Sequence, residues 1–199
     1  MPTSRFWVLV VLAALPGCSG FVASKPETVS RIELDDGMIV SGANGWCVDP
    51  TTSQASGDPA VVVLGSCAAI GQNALAPQPD VPGVVTVSIE RVAAGGFSPE
   101  ALQEFFVTEA GRAVLARDGQ AQSIEIIEAE AREDRLVLYT EDQSALPGTS
   151  SKTWRALFDL GGRFVSVSLY GLIGQPFEPG DGQAAVDAQV DALIAANTR

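Results

Sequence analysis

Apolar and polar positions change period several times along the chain, and each change marks an element. Phe6 to Leu15 is an unbroken apolar run of ten residues. Thr28 to Val40 alternates loosely about Asp36-Gly37, a dipeptide that favours a tight hairpin turn. Gly45 to Asp49 reads as a short strand stopped by Pro50, and 51–59 as a turn-forming stretch. Ala60 to Leu64, a continuous run rich in valine, predicts a strand buried on both faces. After a loop over 71–82, Gly83 to Val92 predicts a further strand.

The period then changes to helical. Ser98-Pro99-Glu100 combines a side-chain cap, a proline in the first turn and an acid at the positive helix end. Leu102, Phe105 and Phe106 of the helix that follows are expected to face the core. Gly111 is a point at which the stretch can divide in two, with Thr108 capping the second helix and Gly119 near its end. Ile124 to Ala131 and Arg135 to Thr140 alternate as two strands across Glu133-Asp134, and 142–151 reads as a loop. Thr153 to Leu160 and Arg163 to Leu169 predict a hairpin across Gly161-Gly162. From about Gln183, Val186, Val190, Leu193 and Ile194 recur at helical spacing. The order argues an α+β fold: a mostly antiparallel sheet, a central capped helix that can break in two, and a C-terminal helix.

The first apolar run is too short to span a bilayer, which takes about 20 residues. With Arg5 before it and Leu15-Pro16-Gly17-Cys18 after it, it reads as a secretory signal. That tetrapeptide resembles the bacterial lipobox, which implies diacylglycerol transfer to the Cys18 thiol and cleavage before it; Pro16 departs from the usual second position. Acyl chains contribute about 0.8 kcal/mol per buried CH₂, so two or three of them anchor a protein durably. Ser19 follows the cysteine where Asp does not, which by resemblance to a known sorting rule favours the outer membrane, facing the periplasm. The expected organisation is a signal peptide over 1–17, a lipidated tether over 18–29 and one α+β domain over 30–199.

Composition sharpens this picture. Acidic residues number 24 against 12 basic, for a formal net charge of −12. A charge of that sign repels phosphate backbones, so no nucleic-acid partner is expected. With Cys18 lipidated, Cys47 and Cys67 remain in an oxidising compartment, and a disulfide between them is expected. A redox pair usually shows C-x-x-C spacing, and zinc needs four ligands where two cysteines and no histidine are on offer.

Gly45-Trp46-Cys47-Val48-Asp49-Pro50, Val63-Leu64-Gly65-Ser66-Cys67-Ala68, Trp154-Arg155-Ala156 and Gly161-Gly162-Arg163 together resemble a set of uncharacterised lipoproteins of alphaproteobacteria, over most of the mature chain. The resemblance implies a shared fold and disulfide, and brings no catalytic residue with it. The element order alone is similar to that of the PsbP and Mog1 group, an analogy of architecture and not of activity.

The absence of histidine excludes Ser-His-Asp triads, Cys-His pairs and histidine metal sites. Neither lysine, Lys25 or Lys152, has a serine three residues before it, and no phosphate-binding loop opens a helix. Glu128 and Glu130 share a strand face and read as solvated. Arg155 and Arg163, on adjacent strands, are expected to pair with Glu or Asp. No cofactor or metal is implied. Trp46, Phe105, Phe106 and Trp154 are the candidate wall for a ligand. The expected function is therefore a non-catalytic, membrane-anchored binding or scaffold module of the cell envelope, with an envelope protein or a hydrophobic ligand as partner. The alternative is a carrier of a small hydrophobic ligand between sheet and helix near Phe105, Phe106 and Trp154, and the third reading an enzyme with a carboxylate-based site.

Overall fold

A computed structural model describes residues 28–91 and 97–198. The signal, Cys18 and the tether up to residue 27 lie outside the described residues. Nine strands and four α-helices follow one another in those that are described. β1 (Arg31–Glu33) and β2 (Ile39–Ser41) form a small hairpin about Gly37. β3 (Trp46–Val48), β4 (Ala60–Ser66) and β5 (Gly83–Arg91) form one wing of a seven-stranded sheet, with the short helix α1 (Cys67–Ile70) directly after β4. The chain crosses to the far edge through α2 (Pro99–Phe106) and α3 (Glu109–Leu115). A meander of β6 (Ile124–Ala131), β7 (Arg135–Asp142), β8 (Thr149–Asp159) and β9 (Arg163–Leu172) then returns to pair with β5. The strand order is β3-β4-β5-β9-β8-β7-β6, all neighbours antiparallel, and α4 (Pro179–Asn197) closes the chain. The fold is α+β with a mostly antiparallel sheet. Among the described residues no helix is long and apolar enough to cross a membrane.

The sheet divides its side chains between two cores, as period-two alternation requires. On one face Val62, Leu64, Val85, Val87, Trp154, Ala156, Phe158, Val165 and Val167 are buried under α4, whose Val186, Val190 and Leu193 are fully enclosed. On the other, Leu136, Leu138, Leu157 and Ile124 pack against Phe106 of α2 and Leu115 of α3. The helices cover only the β6–β8 half of this second face, so Val61, Val63, Thr86 and Ser88 across β4 and β5 are half-buried. Ala60–Leu64 therefore alternates, with one face enclosed, and is not buried on both faces as its unbroken apolar run suggests.

Caps behave as the side-chain chemistry demands. Ser98 Oγ accepts from the Ala101 N–H, and Thr108 Oγ1 from the Gly111 N–H at 3.0 Å. The break between α2 and α3 falls at Val107-Thr108 and not at Gly111. Gly111 instead lets the helices touch, since a Cβ there would lie 2.1 Å from the Phe105 carbonyl oxygen. α3 ends at Leu115, and Gly119 sits in the turn beyond it. Two further bounds shift: α4 starts at Pro179, a turn before Gln183, and β8 starts at Thr149, within the stretch read as loop.

Polar contacts tie the layers together. The Gln189 side chain of α4 accepts from the Ala43 N–H at 2.9 Å and donates to Ser41 O at 2.7 Å. Asn197 does the same for Ile39, accepting at 2.9 Å and donating at 2.8 Å. Near the middle of α4, Asp187 meets Arg132 at 2.8 Å and Arg135 at 3.5 Å, across from the β6–β7 turn. Both guanidiniums are held protonated more firmly than usual, Arg132 chiefly by Glu130 and Arg135 chiefly by Asp134. Arg163 pairs with Asp36, clamping the β1–β2 hairpin to the sheet.

Candidate functional site

Cys47 and Cys67 form a disulfide with Cα atoms 4.8 Å apart, inside the range a disulfide requires. The pairing of β3 with β4 places Cys47 opposite Gly65, and α1 begins at Cys67, so the helix turns the second sulfur back onto the strand pair. Both cysteines are buried, and no cavity described below touches them.

The four aromatic candidates do not form one wall. Trp46 and Trp154 are buried in the core beneath α4. Phe106 is buried in the opposite core, and Phe105, expected to face inward, is 40% exposed. Phe105 and Phe106 are ring neighbours, with centroids 5.5 Å apart, whereas Trp154 stacks on Tyr139 at 4.6 Å through the other face of the sheet. The sheet itself stands between the pairs. Trp154 does line a cavity of about 530 Å³ with Tyr139, Lys152, Ile173 and Phe177, at the connection from β9 to α4. Its indole N–H is buried without a hydrogen-bond partner, as is the Ser66 hydroxyl.

A second cavity, of about 360 Å³, lies on the opposite face, between α3 and strands β7 to β9. Its apolar side is Val114, Leu115 and Ala116 of α3 with Ile124 and Leu146. Its polar side is Thr140 and Asp142 of β7, Thr153 and Arg155 of β8 and Tyr170 of β9. The register brings these together: Thr140 pairs with Thr153, Thr153 with Tyr170, and Arg155 with Ser168. Directly paired residues point to the same side of a sheet, here the side carrying α3.

This is where the polar side chains withdrawn from water gather. Among the described residues five polar side chains are classed as buried, and four of them, Thr140, Asp142, Thr153 and Ser168, belong to this cavity or to the residue that floors it. The fifth, Gln189, has its structural partners on β2 and the loop beyond it. Burying a hydroxyl or carboxylate is unfavourable unless it finds partners, and these find them: Ser168 accepts from Arg155, and Thr140 donates to the Thr153 carbonyl at 3.5 Å. Asp142 has structural work: it accepts from the Arg117 N–H at 2.8 Å, the Ser144 N–H at 2.7 Å and the Ser144 hydroxyl at 2.6 Å, fixing the end of α3 to the end of β7.

Arg155 does not behave as expected. Its Nε donates to Ser168 Oγ at 2.9 Å, but among the described residues no carboxylate lies within ion-pair distance of it. Arg132, Arg135 and Arg163 are all paired. The reason is placement: Arg155 sits beneath the face that holds α3, among hydroxyls and the one carboxylate of Asp142, which is taken up by the Arg117 N–H and Ser144, while the carboxylates of β6 project from an edge strand. Glu128 and Glu130 are solvated as their alternation with Ala129 and Ala131 implies. Among the described residues no group of three or more metal-ligating side chains converges.

No sequence signal marks this cavity. Thr140, Asp142, Thr153, Ser168 and Tyr170 come from three strands and carry no spacing that separates them from ordinary alternation; only Arg155 stands out, as a cation in an acidic chain. No family model matches the chain, and no curated protein matches it.

Proposed function

We propose that the chain is a membrane-anchored, non-catalytic binding module of a bacterial cell envelope, and that it holds a small ligand in the cavity between α3 and strands β7 to β9. The observation that carries the binding reading is the concentration of buried polar side chains there, beside α3 on the half of the sheet face that the helices cover. The anchor rests on the apolar run ending in Leu15-Pro16-Gly17-Cys18, and the Cys47–Cys67 pair supports export to an oxidising compartment.

Ligand capture is the expected mode because the cavity is open to solvent on one side and polar at its floor. A carrier for a purely hydrophobic molecule fits the cavity at Trp154 better, since its lining is mostly aromatic, aliphatic and proline side chains; only the Trp154 half of the expected hydrophobic site is present there.

Two measurements test the reading. Cys18→Ser abolishes incorporation of labelled palmitate and leaves the protein soluble or with its signal attached; normal labelling and membrane partition of that variant refute the anchor. Native mass spectrometry of the protein purified in detergent from its host shows a small-molecule adduct. No adduct, together with a pulldown from solubilised envelope that recovers no partner, refutes the binding module.

A further inference from the structure

We infer that the cavity between α3 and strands β7 to β9 binds a small amphipathic carboxylate, with Arg155 as the residue that holds the carboxylate group. The inference rests on the binding-module reading and goes beyond it by naming the ligand's chemistry.

Charge is the first argument. In a chain of formal net charge −12, this cavity is lined by two arginines, Arg117 and Arg155, and one carboxylate, Asp142. Neither arginine has a carboxylate within ion-pair distance among the described residues, and both oxygens of Asp142 already accept, one from the Arg117 backbone N–H and the other from the Ser144 N–H and hydroxyl. An acidic protein that leaves two cations unpaired around one concavity makes a local attraction for anions against its own field.

Donor geometry is the second. A guanidinium offers five N–H donors in a planar fork, and Arg155 commits only Nε, to Ser168. Its two terminal nitrogens make no hydrogen bond to any described residue. That is the fork that takes a carboxylate through two parallel bonds. Ser168 is itself 3% exposed, so the guanidinium is held from behind by a buried hydroxyl and does not swing freely.

The shape and the remaining lining narrow the class. Val114, Leu115 and Ile124 supply an apolar side for an alkyl or ring portion, and a volume of about 360 Å³ is at the small end of ligand sites. A dianion such as phosphate would place a second negative charge beside Asp142, which lines the same cavity, so a monoanionic carboxylate fits better. Val114 is 70% exposed and stands at the mouth on α3, so the site is reachable without unfolding.

The test is a chemical-shift titration of the ¹⁵N-labelled protein, purified in detergent from membranes, with hexanoate, 1-hexanol and hexylammonium as probes. Hexanoate is expected to bind saturably with shifts around Val114, Leu115 and Ile124, and the other two at least about tenfold more weakly, from the loss of charge-assisted bonds. Arg155→Gln is expected to lower hexanoate affinity about 10- to 100-fold while leaving the hexanol response unchanged. Because that variant can unfold, Val114→Trp provides a second arm: an exposed helix position whose larger side chain fills the mouth, so hexanoate binding falls with the fold intact. Absence of saturable hexanoate binding overturns the inference, as does equal binding by folded Arg155→Gln or preference for hexylammonium. If native mass spectrometry still shows an adduct in those cases, the binding-module reading survives and only the carboxylate is wrong.

Discussion

Opening the Cys47–Cys67 bond provides a quantitative test of how much this domain depends on its covalent link. The two residues are 20 positions apart, and closing a loop of that length removes about 11 cal/mol/K from the unfolded chain, or about 3 kcal/mol at 25 °C. Unfolding entropy is near 2.1 cal/mol/K per residue, which over a domain of roughly 170 residues makes about 0.36 kcal/mol/K, so losing the link should lower the melting midpoint by about 9 °C. Both cysteines are buried, at 4% and 7% exposure, so reductant reaches them only when the β3–β4 wing opens. Calorimetry should therefore compare oxidised protein with protein reduced under denaturing conditions and refolded with reductant, the two added hydrogens being verified by mass. A Cys47→Ala, Cys67→Ala variant serves as a control that needs no reductant; alanine is preferred to serine because a hydroxyl at either site would be buried. If the fully reduced protein melts within about 2 °C of the oxidised one, loop closure is not what stabilises this wing.

Three further outcomes follow from contacts described above. Gln189→Leu strands the Ala43 N–H and the Ser41 carbonyl, and should cost about 2–4 kcal/mol in denaturant unfolding; an unchanged midpoint would show that water replaces the amide. Thr108→Ala removes the cap of α3 and should cost about 1 kcal/mol by the same assay, with hydrogen exchange rising in α3 before β7. Acid should destabilise the fold. Asp134, beside the Arg135 guanidinium, and Asp49, hydrogen-bonded by the Thr51 hydroxyl, are held below the ordinary carboxylate value. A depressed folded value means stability that is present above the unfolded pKa of about 3.9 and lost as the pH falls through the folded one. Urea midpoints that stay flat from about pH 5 to pH 2 would contradict this.

What the sequence disclosed follows the range over which its signals act. Gly161-Gly162 turns β8 into β9 with both residues at positive φ, and Ser98-Pro99 starts α2 where expected, because caps and tight turns are decided by a few adjacent residues. Where the deciding partner is distant, the reading failed. Ala60–Leu64 is uniformly apolar, yet whether Val61 and Val63 are covered depends on how far α2 and α3 extend over the sheet. Thr149 to Lys152 joins β8 although its polar side chains lack strand character, because its neighbours in β7 and β9 supply the ladder. Phe105 and Phe106 are adjacent on a helix that packs by one side, about 100° apart around its axis, and the sheet covers Phe106 while leaving Phe105 at the margin of the contact. The cavity was illegible for the same reason: its hydroxyls are converged by strand register and not by spacing along the chain. Arg155 was visible as an unusual cation, but its lack of a carboxylate partner depends on which face of β8 it occupies.

The amide side chains on α4 also bear on how the protein coexists with copies of itself. An unpaired strand edge is a template on which another chain can add a strand. Gln189 and Asn197 occupy the backbone groups of Ile39, Ser41 and Ala43 along β2 and just beyond it, so the helix takes the place a further strand would fill. At the outer edge of the large sheet, β6 carries exposed Glu125, Glu128 and Glu130, a register shift between Ile126 and Glu128, and a Gln103 side chain seated on the Ala129 carbonyl. Charges, an irregular ladder and an occupied carbonyl each discourage edge-to-edge addition. The membrane anchor proposed above would bring copies together at high local density, and both guarded edges favour their remaining separate domains there.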